Sequence, residues 1–220
     1  MTCRAKISPS ILSADFLNLG RDIESIATAD FLHFDVMDGH FVPNLTFGPA
    51  IMKQVRACTD LPIDAHLMVS NPDDVIDDYL KAGADYVTFH IEAARDAAEM
   101  IERIHAAGKG AGIAISPDTP AEAVEPYLSY LELVLVMTVY PGFGGQSFIE
   151  AMLPKIARVR EMCDGLGVNP LIAVDGGIGK DTVARAAKAG ADTFDAGSSV
   201  FGAADRAARI AELKQLAEEA

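Results

Sequence analysis

The chain repeats one beat eight times: a short apolar run, a polar turn, then a longer stretch with apolar residues every three or four positions. Short apolar runs bounded by turn residues read as buried strands, and a 3.6-residue period reads as an amphipathic helix. The predicted strands are Lys6–Leu12, Phe31–Met37, Pro62–Met68, Tyr86–Ile91, Gly110–Ser116, Leu133–Val139, Leu171–Val174 and Thr193–Ala196. Predicted helices cover Leu17–Ala29, Pro49–Ala57, Pro72–Ala82, Arg95–Ala107, Pro120–Leu128, Phe148–Cys163, Lys180–Ala189 and Arg206–Glu218. Several open on Pro or Asp, and Gly follows others; Ala-Gly-Ala-Asp recurs at 82–85 and 189–192, each time before a strand. Strands joined by helical crossovers must be parallel. An open doubly wound sheet and a closed barrel both satisfy that pattern. The count of eight favours an α/β fold of the (β/α)8 barrel type, and no Gly-x-Gly-x-x-Gly follows strand one, which weakens the dinucleotide-binding alternative. With 220 residues and no linker, one domain spanning residues 1–220 is expected.

Barrel interiors are usually filled by Val, Ile and Leu, so charged residues on inward positions need a reason. Alternation puts His33, Asp35 and Met37 on one face of strand two, and Asp64, His66 and Met68 on one face of strand three. Asp175 ends strand seven, across the barrel. A lone histidine here would be read as half of a structural hydrogen-bonded pair. Repetition on adjacent strands favours a divalent-metal set of His33, Asp35, His66 and Asp175 instead, with Zn, Fe, Mn and Co all compatible. Asp64 is expected to orient His66 rather than to bind metal. Asp35 and Asp175, on opposite sides, could flank a flat enediolate and move protons on its two faces, inverting a carbon beside a carbonyl.

Met37, Met68 and Met137 fall at strand ends and read as a proton-free collar that keeps water out. The glycine-rich turns after strands six, seven and eight (Gly142, Phe143, Gly144 and Gly145; Gly176 and Gly177; Gly197 and Ser198) allow backbone N–H groups to approach a phosphate. Gly142–Gly145 is also a candidate lid. No Lys sits at a predicted strand C-terminus, which argues against a Schiff-base aldolase or a lysine-dependent decarboxylase. His40, His90 and Glu92 have no evident partner; Glu92 is read as structural and His90 is given no role. A net charge of −14 argues against nucleic acid, and no apolar stretch approaches the ~20 residues of a membrane span. The start MTCRAKISPS has no apolar signal core, and Cys3, Cys58 and Cys163 lack motif spacing. Reduced thiols and a cytoplasmic protein are expected.

Five strings taken together, SPSILSADF (8–16), HFDVMDGHFVPN (33–44), DAHLMV (64–69), MTVYPGFGGQ (137–146) and DGGI (175–178), resemble the ribulose-phosphate 3-epimerase family over nearly the whole chain and in order. The resemblance implies a metal-dependent isomerase, a barrel of the ribulose-phosphate-binding type, interconverting D-ribulose 5-phosphate and D-xylulose 5-phosphate in the pentose phosphate pathway. It implies His33, Asp35, His66 and Asp175 on the metal, with Asp35 and Asp175 as the acid/base pair. Ser10 and His66 would bind substrate, and Gly142–Gly145, Gly176, Gly177, Gly197 and Ser198 would hold its phosphate. Homo-oligomers occur among such enzymes, so one is expected here. Three positions depart from the family pattern. Tyr140 and Ser116 stand where Asn is common and are expected at the pocket mouth. Asp195 stands where an apolar residue is usual and, by alternation with Ser198, is expected to face the helices. The alternatives are the same epimerisation on another ketose phosphate such as allulose 6-phosphate, a phosphate-barrel lyase, and a non-catalytic binding module.

Overall fold

All eight predicted strands form and pair in parallel, in a computed structural model that describes residues 5–220. Cys3 lies outside that range. The strands are β1 (Lys6–Ser8), β2 (Leu32–Met37), β3 (Ile63–Met68), β4 (Tyr86–His90), β5 (Gly110–Ile115), β6 (Leu133–Met137), β7 (Leu171–Asp175) and β8 (Thr193–Asp195). Their order is β1-β8-β7-β6-β5-β4-β3-β2. A Ser10–His33 bridge closes the ring between β1 and β2, with the His33 N–H donating to Pro9 O at 3.1 Å. The fold is a (β/α)8 barrel.

Helices α1 (Leu19–Glu24), α2 (Pro49–Cys58), α3 (Pro72–Ala82), α4 (Ala97–Ala106), α5 (Leu153–Leu166), α6 (Val183–Lys188), α7 (Ser198–Phe201) and α8 (Arg206–Glu218) cover the outside. Boundaries differ from expectation where proline or capping intervenes. β1 ends at Ser8 because Pro9 has no N–H for a ladder, and a 3-10 turn at Ile11–Ser13 follows. The stretch predicted as a helix over 120–128 is a run of 3-10 turns over Ala121–Tyr130; Pro126 inside it lacks the donor that an α-helix needs. The helix predicted over 17–29 is split into a 3-10 turn at Phe16–Asn18, capped by Asp15, and the short α1. Those predicted over 148–163 and 180–189 start later, at Leu153 and Val183. A four-residue helix, α7, also follows β8, where no helix is predicted.

Alternation along each strand divides the core into two parts. Outward residues such as Phe34, Leu67, Phe89, Val136, Val174 and Phe194 are fully or almost fully buried against the helices. Each contributes about 1.5–3 kcal/mol from removing its side chain from water. Inward residues fall into two halves. Ala114, Leu133, Leu135, Met137 and Ala173 line the apolar side from β5 to β7. His33, Asp35, Asp64, His66, Thr88, His90 and Asp195 lie buried on β2, β3, β4 and β8. Half of this barrel's interior therefore carries chemistry rather than filler.

Candidate active site

In-register neighbours on parallel strands share a face, and the β2–β3 register sets Asp35 beside His66 and His33 beside Asp64. Four side chains then converge. His66 Nδ1 lies 3.1 Å from Asp35 Oδ1, His33 Nε2 lies 3.2 Å from the same oxygen, and the two nitrogens are 3.3 Å apart. Asp175 Oδ2 approaches His66 Nδ1 at 3.9 Å from across the barrel. One donor atom from each of His33, Asp35, His66 and Asp175 lies within 4.8 Å of the others. Ligand bonds of about 2.1 Å around a tetrahedral ion would place donors about 3.4 Å apart, so these residues fit a divalent metal.

The two carboxylates are set in opposite directions. Burial works against charge on Asp35, but the His33 ring beside it prevails and holds its carboxyl well below the usual range. Ser10 Oγ donates a hydrogen bond to Asp35 Oδ2 as well. Asp175 is pushed well above that range, first by burial and then by the Asp35 charge. A neighbouring pair whose environments separate them in this way supplies one base and one acid. Asp175 keeps 18% of its side-chain surface exposed, against 4% for Asp35, so it faces the open side of the site.

The cavity above these residues is lined by Ser10, the three methionines Met37, Met68 and Met137, the Gly142–Gly145 turn, Gly176, Gly177, Gly197 and Ser198, together with Asp35 and Asp175. Phe143 lines it too while remaining 56% exposed. His66 does not reach the cavity wall and is fully buried behind it. The Gly142 carbonyl accepts from Asn44 Nδ2 at 3.0 Å, and Gln146 Nε2 donates to the Tyr140 and Phe143 carbonyls, so the turn is braced from two sides. Among the described residues, the N–H groups of Gly176, Gly177 and Gly197 have no backbone acceptor. Gly177 has a φ of +66°, and a Cβ there would overlap the Phe148 backbone, so that turn requires glycine.

Four expectations are corrected. Asp64 serves His33 rather than His66: its Oδ2 lies 3.2 Å from His33 Nδ1 and its Oδ1 accepts from Thr88 Oγ1 at 2.6 Å. The reason is register, which sets Asp64 opposite His33 and His66 opposite Asp35. Asp195 faces the barrel axis, not the helices. Counting from Ser198 crosses the strand end, where the two-residue period stops; its register partners Ser8 and Asp175 point inward. Neither Tyr140 nor Ser116 lines the cavity: the Tyr140 hydroxyl donates to Asp118 Oδ1 at 2.9 Å, and the Ser116 N–H donates to Glu92 Oε1 at 2.8 Å. Glu92 and His90 are not isolated, since His90 Nδ1 lies 3.1 Å from Glu92 Oε2 and His90 Nε2 lies 3.0 Å from His66 Nε2. The signal for this pair was the period of two, which puts Thr88 and His90 on the inner face of β4.

Asp195 also has a thermodynamic consequence. Burial pushes its carboxyl up to about 7, with Asp64 adding to the rise and His33 opposing it. In the unfolded chain the group ionises near 4. The stability it contributes is complete below about pH 4 and is lost as pH rises toward 7. Asp195→Asn removes that dependence. Metal-free D195N protein is expected to exceed the parent in stability by about 2–4 kcal/mol at pH 8, with the gap closing toward pH 4. Thermal unfolding of both proteins across that range checks it, and a gap independent of pH would refute the assignment.

A parallel barrel with two carboxylates, two imidazoles and glycine turns at the C-terminal strand ends defines a sugar-phosphate isomerase type of site. The Ribulose-phosphate 3 epimerase family matches residues 6–201. A Bacillus subtilis ribulose-phosphate 3-epimerase is 48% identical over 212 residues, covering 95% of this chain and 98% of its own. A chloroplastic ribulose-5-phosphate-3-epimerase of Arabidopsis thaliana is 46% identical, covering 94% of this chain and 75% of its own. The chain belongs to the ribulose-phosphate 3-epimerase family. Among solved structures, a 3-hexulose-6-phosphate synthase superposes with a TM-score of 0.67 at 21% identity, covering 96% of this chain and 99% of its own. Orotidine 5'-phosphate decarboxylase from Pyrococcus horikoshii reaches 0.69 at 14% identity, covering 96% and 98%. These two share the fold.

Proposed function

We propose that the chain inverts C3 of D-ribulose 5-phosphate to give D-xylulose 5-phosphate, with Asp35 and Asp175 as the acid/base pair. The observation that carries this is the opposed setting of the two carboxyls beside two imidazoles at the cavity floor. Ionised Asp35, fixed by Ser10, takes the C3 proton from one face of the sugar. Protonated Asp175 returns one to the other face. The product of the first transfer is a flat enediolate, and delivery from the opposite side inverts the carbon. A divalent ion on His33, Asp35, His66 and Asp175 supplies, when bound, charge stabilisation for that enediolate; two imidazoles and two carboxylates suit Zn, Fe, Mn or Co. The methionine collar keeps the exchange private because thioethers carry no labile proton.

The phosphate end is assigned to the Gly142–Gly145, Gly176–Gly177 and Gly197–Ser198 turns. Gly144 separates binding from folding: its φ is not in the left-handed region and the nearest atom to an added Cβ is Ser13 Oγ at 3.8 Å. Gly144→Val is expected to raise KM for the phosphorylated sugar about 10–100-fold, the value of one or two charge-assisted hydrogen bonds, with kcat nearly unchanged. An unchanged KM would place the phosphate elsewhere.

The reading includes a cytoplasmic protein acting on a free sugar phosphate in pentose phosphate metabolism, without nucleic acid or membrane. The charge of −14 supports the first exclusion, and no helix among the described residues is long and apolar enough to cross a membrane. It also includes a homo-oligomer, supported by an apolar groove in which Phe16 is 50% and Ile51 is 36% exposed. Turnover of D-ribulose 5-phosphate measured beside allulose 6-phosphate at equal concentration tests the substrate; faster turnover of the hexulose would overturn the assignment.

A further inference from the structure

Behind the metal set a chain of hydrogen-bonding groups runs outward across β3, β4 and the end of β5. Asp35 Oδ1 faces His66 Nδ1 at 3.1 Å, His66 Nε2 faces His90 Nε2 at 3.0 Å, and His90 Nδ1 faces Glu92 Oε2 at 3.1 Å. The two rings meet edge to edge, with centroids 5.1 Å apart and planes 27° from parallel. Both rings have no exposed surface. Glu92 is anchored at its other oxygen, Oε1, which accepts from the Ser116 N–H at 2.8 Å and from Thr119 Oγ1. Ser116 Oγ stands farther off, 3.4 Å from His90 Nδ1.

The chain has three gaps, and each needs one proton or one cation between its two acceptors. Two neutral imidazoles carry two N–H protons. Glu92 is acceptor-only, so the outer gap takes the His90 Nδ1 proton. His90 Nε2 is then an acceptor, and the middle gap takes the His66 Nε2 proton. His66 Nδ1 is left with a lone pair facing Asp35. The gap without a proton is the one among the four metal-set residues. We propose that Glu92, acting through His90, is a positioning residue that holds His66 in the tautomer whose Nδ1 is free to bind the metal. This rests on the metal reading given above and extends it to two residues outside the four ligands.

Glu92→Gln tests the order because the Ser116 N–H fixes which end of the amide faces which way. The amide oxygen must take the Oε1 position, which puts the NH2 against His90 Nδ1. A donor there reverses the chain: His90 donates from Nε2, His66 accepts at Nε2, and the second imidazole proton moves to His66 Nδ1. All three gaps are then filled without a metal. Glu92→Ala instead admits water, since a quarter of the Glu92 side chain is exposed, and water can accept from His90. A merely structural role predicts the opposite ranking, with the isosteric Gln milder than Ala.

The experiment is titration of chelator-stripped full-length protein with Zn2+ alone, read by competition calorimetry, for the parent, E92Q and E92A. The expected result is Kd weakened about 10–100-fold in E92Q and by less in E92A. Nitrogen-15 spectra of the metal-free histidines, expected to show the His66 proton on Nε2 in the parent and on Nδ1 in E92Q, read the tautomer without any loading. Zn2+ bound equally by parent and E92Q, or more weakly by E92A than by E92Q, overturns the proposal and leaves the metal reading standing. A parent that binds no Zn2+ overturns both.

Discussion

Asp175→Asn is expected to lower kcat by about 10³-fold or more, with the barrel still folded. General acid catalysis by a positioned carboxyl is worth about 10²–10⁴-fold, and the substitution also weakens a ligand of the metal set. Asparagine matches the shape of protonated aspartate, which is the form that burial and the Asp35 charge favour at this position. The fold should therefore tolerate the change better than it tolerates charge. The side chain lines the cavity and keeps 18% of its surface exposed, so circular dichroism and thermal midpoint should stay near those of the parent. The informative detail is which half-reaction survives. With Asp35 intact, D175N should still exchange the C3 proton of one epimer with solvent at a residual rate while producing little of the other. A D175N enzyme with near-parental turnover would remove the two-face mechanism.

Stripping the metal is expected to reduce turnover by about 10³-fold or more, since stabilising an enediolate is worth several kcal/mol. Without an ion the four residues reorganise their protons. His33 is raised well above its ordinary value: burial opposes this, but the Asp195 and Asp35 carboxylates beside it dominate. Asp175 is pushed well above the usual carboxylate range too, by burial and by the Asp35 charge. A metal bound through His33 must displace the proton on the ring nitrogen that faces it, so affinity should fall as pH is lowered. Adding back Zn, Mn, Fe or Co should restore activity, and the ion that restores it to the parental rate identifies the metal. Full activity in protein shown by elemental analysis to be metal-free would contradict the site.

The strands were legible because parallel barrel strands are short apolar runs between helices, and a period of two picks out which of their residues turn inward. That rule puts His33, Asp35, Met37, His66 and Met68 on the inward faces where the structure has them, while Asp175 and Met137 follow from their positions at strand ends. It failed for Asp195 because the count was taken across a strand end, and it could not assign Asp64, because cross-strand register is not written in any one strand. The helix over 120–128 was misread for a local reason, since Pro126 permits the amphipathic pattern but removes the hydrogen bond that pattern assumes. His90 carries the right period on β4, with Glu92 in the turn just beyond it, yet the nitrogen it faces belongs to another strand. Within a strand the sequence conveys which face a residue occupies; it withholds which residue stands opposite.

The most direct test is to follow D-ribulose 5-phosphate with this protein in D2O by proton NMR. The account predicts xylulose 5-phosphate carrying deuterium at C3, because the proton removed by Asp35 is replaced from Asp175, which exchanges with solvent. No product and no loss of the C3 proton signal, in protein with metal bound, would contradict it.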